Sequence, residues 1–287
     1  MVMGDFRLIP LFDGYFGLDG GAMFGVVPKP LWEKNNPPDE YNRIRLALRP
    51  LLVVTPKERI LIDVGIGDKY DEKFAQRYRV EKPCTLLDAL KDAGFEPGDI
   101  SLVILTHLHF DHCGGATMRV GNQVVPTFSE AQYIVQSAEW QEAVAPNRRS
   151  RASYLPENFL PIQESGQLEL INGSCEIIAG VEVIHTGGHT RGMQVVKITN
   201  GQDTAIFWSD IIPTRGHIPV PYIMGYDLFP LDSMEQKEKL LNQAVAGGWI
   251  SFLEHDPEVV AGRIYYENDK YRFEEIDDKE EFRYEHC

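Results

Sequence analysis

Four side chains that can bind metal ions lie within six residues of this sequence, directly after a short apolar segment. They are His107, His109, Asp111 and His112, and the apolar segment covers residues 100–105. A run of this length that is apolar except for Ser101 is typical of a strand covered on both faces. In an extended turn beyond it, His107 and His109 point the same way and can bind one ion, which leaves Asp111 and His112 for a second. A polar turn whose histidines only cap a sheet edge is the alternative, and the density of ligand types disfavours it.

Three more ligand-type side chains follow predicted apolar strands later in the chain. His189 lies beyond residues 181–184, Asp210 beyond residues 204–208 and His255 beyond residues 249–253. Strand ends are where α/β sheets present functional groups. Each of these residues alone would more often be structural. Together with the motif they give seven candidate metal ligands.

The remaining pattern predicts an α/β architecture of two sheets packed face to face with helices outside. Further strands are predicted at 6–12, 45–54, 59–64, 132–135, 168–171 and 194–198, with a hairpin at 263–267 and 271–276. Helices are predicted at 85–93 and at 233–246, the second capped by Asp232 or Ser233, and residues 28–39 are predicted as loop. Residues 138–167 lack a clear period and are interpreted as an inserted lid, so residues 1–287 are interpreted as a single domain.

Charge and composition narrow the classes of partner and compartment. Lys and Arg number 28 against 43 Asp and Glu, a net charge of −15, which disfavours nucleic acid as a partner. Neither a membrane-length apolar run nor a signal-peptide pattern is present, so we expect no membrane partner. The four cysteines (Cys84, Cys113, Cys175 and Cys287) form no CxxC pair and are predicted to be reduced and mostly buried. A cytoplasmic location is therefore expected, a periplasmic one stays open, and a homodimer is left open.

The order of these motifs resembles the metallo-β-lactamase superfamily. His-x-His-x-Asp-His is followed by a histidine in a Gly-His-Thr-x-Gly context, a strand-end aspartate and a late histidine, and the match runs from Asp63 to His255. The resemblance implies an αβ/βα four-layer sandwich with two divalent ions, zinc being expected and iron, manganese or cobalt being alternatives. It implies one ion bound by His107, His109 and His189, a second bound by Asp111, His112 and His255, Asp210 bridging both, and Asp63 orienting the ligands.

Such a centre implies a hydrolase in which a metal-bridging hydroxide attacks a carbonyl or phosphoryl centre and Asp111 shuttles a proton. The motif resembles the branch of N-acyl homoserine lactone lactonases and their organophosphate-hydrolysing relatives. Lactonases of that branch often carry a tyrosine three residues after the bridging aspartate, where this chain has Pro213. Tyr222 and Tyr226 are the candidates to supply the hydroxyl, with aromatic packing as the alternative for both.

The expected substrate is a small neutral or apolar lactone or ester. Residues 21–27 are unusually apolar for a segment flanked by prolines, and Met23 and Phe24 within them are candidates for a pocket wall. His217 is a further candidate, because it follows Asp210 within one loop. The other histidines are interpreted as structural (His185) or solvated in an acidic tail (His286), and Cys113 as a small buried thiol.

Several other functions share parts of this pattern. A phosphotriesterase stays open, and so does a glyoxalase II-like thioesterase, although the latter normally has a basic C-terminal region where residues 274–285 here are acidic. A β-lactamase is disfavoured, because His112 replaces the arginine of one major subgroup and Asp210 replaces the usual cysteine or serine. An RNA nuclease is disfavoured by the net charge. A mononuclear iron oxygenase and a non-catalytic ligand-binding protein are further alternatives.

Overall fold

Two seven-stranded sheets face each other in the computed structural model, which describes residues 1–276. In spatial order the first sheet contains β1 (Val2–Met3), β2 (Phe6–Pro10), β5 (Leu51–Val54), β6 (Arg59–Ile62), β7 (Leu102–Ile104), β10 (Gln132–Gln136) and β11 (Leu168–Ile171). The second contains β12 (Cys175–Ile178), β13 (Val181–His185), β14 (Gln194–Asn200), β15 (Asp203–Phe207), β16 (Ile250–Phe252), β17 (Ala261–Glu267) and β18 (Lys270–Glu275). Two-stranded sheets pair β3 (Tyr15–Asp19) with β4 (Arg43–Ala47), and β8 (Thr117–Val120) with β9 (Gln123–Pro126).

Eight α-helices occur among the described residues. They are α1 (Gly20–Phe24), α2 (Lys29–Trp32), α3 (Glu72–Arg77), α4 (Leu86–Asp92), α5 (Phe110–Cys113), α6 (Ser137–Val144), α7 (Leu160–Glu164) and α8 (Pro230–Gly247). None of the helices within residues 1–276 is long and apolar enough to cross a membrane.

The distribution of buried side chains gives the structure four layers. Alternate residues of β6 point to opposite faces, so that Ile60 and Ile62 pack between the sheets while Leu61 packs outward. Helices α4 and α6 cover the outer face of the first sheet, and α8 covers that of the second with Leu240 and Leu241. Central strands are thus covered on both faces, which explains their continuous apolar sequences. The predicted αβ/βα sandwich is confirmed.

Strand direction brings the candidate ligands to one edge of the sandwich. Strands β6 and β7 are parallel, as are β15 and β16, and β13 runs in the direction of β15 because β14 is antiparallel to both. Residues that follow these strands therefore meet at the same end of the two sheets. Asp63, His107, His189, Asp210 and His255 all follow such a strand.

Several predicted boundaries differ from the structure. The predicted strand 45–54 is two strands in different sheets, interrupted before Pro50, and residues 28–39 contain the short helix α2. The predicted helix 85–93 is confirmed as α4, which begins after Thr85, and the side chain of Thr85 forms a capping box. Helix α8 instead begins at Pro230, a residue whose fixed φ favours the first helical position, so neither Asp232 nor Ser233 is its cap.

The lid segment and the cysteines also need correction. Residues 138–167 are not irregular throughout, because they contain most of α6, a 3-10 turn and α7; their interpretation as a lid stays a prediction. Cys113 and Cys175 are free thiols, whereas Cys84 is disulfide-bonded, so the expectation of reduced cysteines is wrong for Cys84. Cys287 and His286 lie outside the described residues.

Candidate metal centre

The seven candidate ligands converge at the strand-end edge and are nearly inaccessible to solvent. Each residue is at most 8% exposed, and this group comprises His107, His109, Asp111, His112, His189, Asp210 and His255. His107 and His109 lie in the segment between β7 and the short helix α5, where the His109 backbone is extended, whereas Asp111 and His112 lie within α5. A Cβ atom on Gly114 would lie 2.1 Å from the Ile66 carbonyl oxygen, and one on Gly115 would lie 2.2 Å from that of Val64. The glycines therefore let the backbone pack tightly against the loop after β6.

One set of nitrogen atoms comes from three imidazoles, and we call His107, His109 and His189 the first ligand group. Their nitrogens lie within 4.8 Å of one another, and His189 Nε2 is 3.0 Å from His109 Nδ1. Burial and the neighbouring imidazoles hold the pKa of His107 and of His109 well below the usual value. These two rings are therefore neutral, the form that can bind a metal ion.

Asp111, His112 and His255 form the second ligand group. His255 Nε2 lies 3.1 Å from His112 Nε2, and Asp111 Oδ2 lies 3.8 Å from His255 Nε2 and 3.7 Å from His112 Nε2. Burial opposes protonation, but Glu254, Asp111 and Asp210 raise the pKa of His112 well above its usual value. The second group thus lies in a more negative environment than the first.

The carboxylate of Asp210 lies between the two groups and directs one oxygen to each. Its Oδ2 is 3.1 Å from His189 Nε2 and 3.9 Å from His107 Nε2. Its Oδ1 is 3.2 Å from His255 Nε2 and 3.5 Å from His112 Nε2. Although burial opposes it, His112 and His189 hold the pKa of Asp210 well below its usual range. Asp210 is therefore an anion in the position of a bridge.

The atoms of both groups fit the dimensions of a metal site. Ligands bound tetrahedrally at about 2.0–2.1 Å lie roughly 3.3 Å apart, and most of the distances above are close to that value. His107 Nε2 and Asp210 Oδ1 are buried and accept no hydrogen bond from any described residue. Unpaired buried polar atoms are costly, and a cation between them would remove that cost. The residues present therefore fit two divalent ions.

Hydrogen bonds on the far side of the rings aim the ligands at the centre. Asp63 accepts bonds from the Thr106 amide (2.8 Å) and hydroxyl (2.6 Å) and lies 3.0 Å from His112 Nδ1, as expected of an orienting residue. Asp227 lies 2.9 Å from His189 Nδ1, and Ala47 O lies 2.8 Å from His255 Nδ1. Such contacts fix the ring orientation and the tautomer.

Glu254 is a functional candidate that sequence reasoning missed. It is fully buried, its Oε2 lies 3.1 Å from His112 Nδ1, and neither of its oxygens accepts a hydrogen bond from the described residues. The available signal was its position directly before His255, in an otherwise apolar strand end. The contact of Asp227 with His189 was harder to predict, because Asp227 lies in a loop far along the chain from His189.

A cavity of about 350 Å³ opens onto the centre. Part of its lining is mostly apolar, and we call these residues the entrance wall: Leu18, Met23, Tyr78, Phe110, Met224, Tyr226 and Leu228. Arg149, Ser150 and Ser153 from the predicted lid also line the cavity. This segment is bonded to the rest of the site, since Ser153 O accepts a bond from the Phe110 amide (2.9 Å) and Arg149 donates to Asp227 O (3.3 Å).

The structure separates the five predicted pocket residues into two sets. Met23 and Tyr226 line the cavity, whereas Phe24, His217 and Tyr222 do not. The Phe24 ring lies between those of Trp32 and His217, with centroids 5.3 Å and 4.3 Å away, and is fully buried. His217 Nε2 lies 2.9 Å from Met23 O. These residues support the entrance wall from behind, so their prediction as lining residues needs correction.

Pro213 and His185 have structural contacts. The carbonyl of Pro213 accepts a hydrogen bond from the His255 amide (3.0 Å), which ties the loop after Asp210 to the second ligand group. The ring of His185 contacts the carbonyl of Arg191 (3.0 Å) beside the His189 loop, in agreement with a structural role.

The fold, the strand-end site and the order of its ligands define a class of protein. The family profile described as the metallo-beta-lactamase superfamily matches residues 50–255, and the chain belongs to this superfamily. Among individual relatives, an N-acyl homoserine lactonase of Bacillus cereus is 29% identical over 167 residues, covering 55% of this chain and 60% of that protein. An N-acyl homoserine lactonase of a Bacillus species is 35% identical over 157 residues, covering 51% and 56%. The chain thus spans less than two thirds of the length of these relatives.

Solved structures extend the likeness over nearly the whole chain. A probable metal-dependent hydrolase from Staphylococcus aureus is 33% identical, covers 96% of this chain and 99% of its own, and has a TM-score of 0.88. AidC, a dizinc quorum-quenching lactonase, is 21% identical, covers 96% of both chains and has a TM-score of 0.79. At that identity the second likeness concerns the fold alone.

Proposed function

We propose that this protein is a metal-dependent hydrolase that holds two divalent ions, one in each ligand group, and opens lactones or cleaves esters. The observation that carries the proposal is Asp210, whose two oxygens face different ligand groups. When bound, two such ions supply Lewis acidity and lower the pKa of a shared water toward neutrality. Zinc is the proposed metal, because imidazole-rich sites suit it and because AidC is described as dizinc.

The protein's own residues supply orientation and proton handling. Asp111 belongs to the second ligand group and also lines the cavity, so its carboxylate is placed to hold a proton and deliver it to a leaving group. Tyr226 lines the cavity and Tyr222 does not, which makes Tyr226 the candidate for the hydroxyl that Pro213 lacks. Burial raises the pKa of Tyr226, so its hydroxyl keeps its proton and can donate a hydrogen bond.

A lactone or ester with an apolar acyl group fits the cavity best. The entrance wall offers aliphatic and aromatic side chains to an acyl chain, while members of both ligand groups line the same cavity. The similarity to proteins named N-acyl homoserine lactonases supports the same substrate class. The net charge of −15 disfavours polyanionic substrates.

Metal analysis combined with a substrate panel tests this proposal. We expect about two ions per chain and turnover of a homoserine lactone series, with kcat/KM rising by up to about 0.8 kcal/mol per buried CH₂ until the cavity is full. A phosphotriester, a thioester and a β-lactam complete the panel, and His109→Ala should lose at least one ion and most activity. Faster turnover of the phosphotriester than of every lactone would favour an organophosphate hydrolase. Full metal content and turnover in His109→Ala would contradict the ligand assignment.

A further inference from the structure

A fully buried carboxylate, that of Glu139, contacts three segments around the first ligand group. Glu139 lies in α6, directly after β10, and its side chain is 0% exposed. Its Oε1 accepts hydrogen bonds from the Leu108 amide (2.9 Å) and the Tyr154 hydroxyl (3.1 Å). Its Oε2 accepts a hydrogen bond from the Thr190 hydroxyl (2.5 Å). One side chain thereby joins α6 to the ligand motif, to the predicted lid segment beside Ser153 and to the His189 loop.

Each hydrogen-bond partner of Glu139 is either adjacent in sequence to a predicted metal ligand or packs against one. Leu108 separates His107 from His109, and Thr190 directly follows His189. The ring of Tyr154 packs edge-on against that of His109, with centroids 4.9 Å apart. A rotation of the Leu108 peptide would turn both neighbouring imidazoles, and a shift of Thr190 would move the third. The geometry of the whole first ligand group therefore depends on this carboxylate.

We propose that Glu139 is a positioning residue for the first ligand group, and that its three hydrogen bonds set the affinity of that group for its metal ion. The proposal rests on the proposed function, because it requires an ion in that group. Three imidazoles on two separate segments bind one ion well only if their lone pairs meet at one point, and groups behind the ligands commonly supply that alignment. The second ligand group makes no contact with Glu139 among the described hydrogen bonds, so its ion should be unaffected.

The substitutions that test this role differ in how many hydrogen bonds they keep. Glu139→Ala removes all three. Glu139→Gln keeps them, because the amide oxygen accepts from Leu108 and Tyr154 while the amide nitrogen donates to Thr190. Thr190→Val removes one bond and leaves the carboxylate in place. Thr127→Val is its matched control, since the buried hydroxyl of Thr127 has no hydrogen-bond partner among the described residues. The exposed Glu164 of α7 gives a second control, Glu164→Gln.

The first measurement is the affinity of the full-length protein for zinc in each of its two binding steps, determined by competition with a chelator. The second is the thermal unfolding midpoint of the metal-free protein. We expect Glu139→Ala and Thr190→Val to weaken one step by about tenfold and to leave the other unchanged. Glu139→Gln and both controls should bind like the parent. Thr190→Val leaves the buried Oε2 of Glu139 without its hydrogen bond, so its metal-free midpoint should fall, but only one of the two binding steps should weaken.

Two results would overturn the role of Glu139. One is parental affinity for both ions in Glu139→Ala and Thr190→Val. The other is a Glu139→Gln variant as weak as Glu139→Ala, which would assign the effect to charge rather than to hydrogen bonding. If Glu139→Ala does not fold, Thr190→Val against Thr127→Val decides the question alone. A parent protein that binds no zinc would instead overturn the proposed function itself.

Discussion

The metal centre and the entrance wall share one cavity but are held in place by different forces. At the centre, polar contacts behind the rings orient several of the ligands, such as Asp63 for His112 and Asp227 for His189. The entrance wall is held by stacked rings, with Phe24 between Trp32 and His217. Changes at the centre should therefore alter metal content, whereas changes at the wall should alter only what binds above the metals.

The two ligand groups differ in a similar way within the centre. The first contains only imidazoles, and burial with mutual repulsion lowers the pKa of His107 and His109. The second contains Asp111 and has Glu254 behind His112, and its environment is correspondingly negative. Because a divalent cation is attracted by negative charge in a buried site, the second group should hold its ion more tightly.

The largest effect is expected where the two groups meet. Asp210→Asn replaces one carboxylate oxygen by an amide nitrogen and removes the negative charge between two cations. A group behind the ligands typically contributes about 10–100-fold to metal affinity, so loss of the shared ligand should cost at least about 100-fold and weaken both ions together. Metal analysis and hydrolysis rates would show this, with Asp203→Asn at the exposed start of β15 as the control. Loss of one ion with an unchanged rate would mean that Asp210 is terminal rather than bridging.

A smaller and selective effect is expected behind the second group. Glu254→Gln keeps the shape of the side chain but removes the buried carboxyl 3.1 Å from His112 Nδ1. Burial raises the pKa of Glu254 to about 8, so zinc binding is compared above pH 8, where the parent carries the negative charge and the variant does not. We expect about a tenfold loss in one zinc-binding step, with the other step unchanged. The exposed residue Glu235 of α8 provides the matched control, Glu235→Gln. Equal weakening of both steps would show that the two groups are not electrostatically separate.

The ligands at the strand ends could be predicted because the sequence pattern that indicates them lies in the residues directly before them. His107, Asp210 and His255 each follow an apolar run whose burial on both faces requires a central strand, and parallel neighbours bring such ends together. The contacts behind them were not predictable from spacing. Asp227 and His189 meet only because loops from different parts of the second sheet fold over the same edge.

The entrance wall was predictable only in part, for a related reason. An apolar segment indicates burial, but it does not say whether a ring faces a cavity or another ring. Met23 faces the cavity and Phe24 faces His217, although the two residues are adjacent and similarly hydrophobic. Proline has a fixed φ and lacks a backbone N–H, so the break before Pro50 and the start of α8 at Pro230 could have been predicted from the sequence. The predicted boundaries did not take these two prolines into account.

His217, which stacks on Phe24 behind the entrance wall, should make the stability of the protein depend on pH. Burial lowers the pKa of His217 from 6.5 to about 3. Between these values the unfolded chain binds a proton that the folded chain does not, so this group makes the protein less stable as pH falls below 6.5. The contribution is at most about 1.4 kcal/mol per pH unit.

His217→Gln removes this titration and keeps a donor for the Met23 carbonyl. The difference in unfolding free energy between the parent and the variant, both metal-free, should be constant above pH 7 and should change as pH falls from 6.5 in favour of the variant. Denaturant melts across this range would measure it. A difference that does not vary with pH would show that His217 does not remain neutral in the folded protein.

The smallest effect is expected at the lining of the entrance wall. Met23→Ala removes three heavy atoms from the side chain that faces the cavity, so an acyl chain of the same length loses apolar contact there. Each lost CH₂-sized contact costs up to about 0.8 kcal/mol, so kcat/KM for the best lactone should fall by roughly fourfold and the optimum should move to a longer chain. Zinc content should not change, because Met23 contacts the wall and not the ligand groups. Met118→Ala in β8, outside the cavity, is the control. If Met23→Ala lost zinc, the wall and the centre would be mechanically coupled; if kcat/KM fell equally for every chain length, the acyl group would lie elsewhere in the cavity.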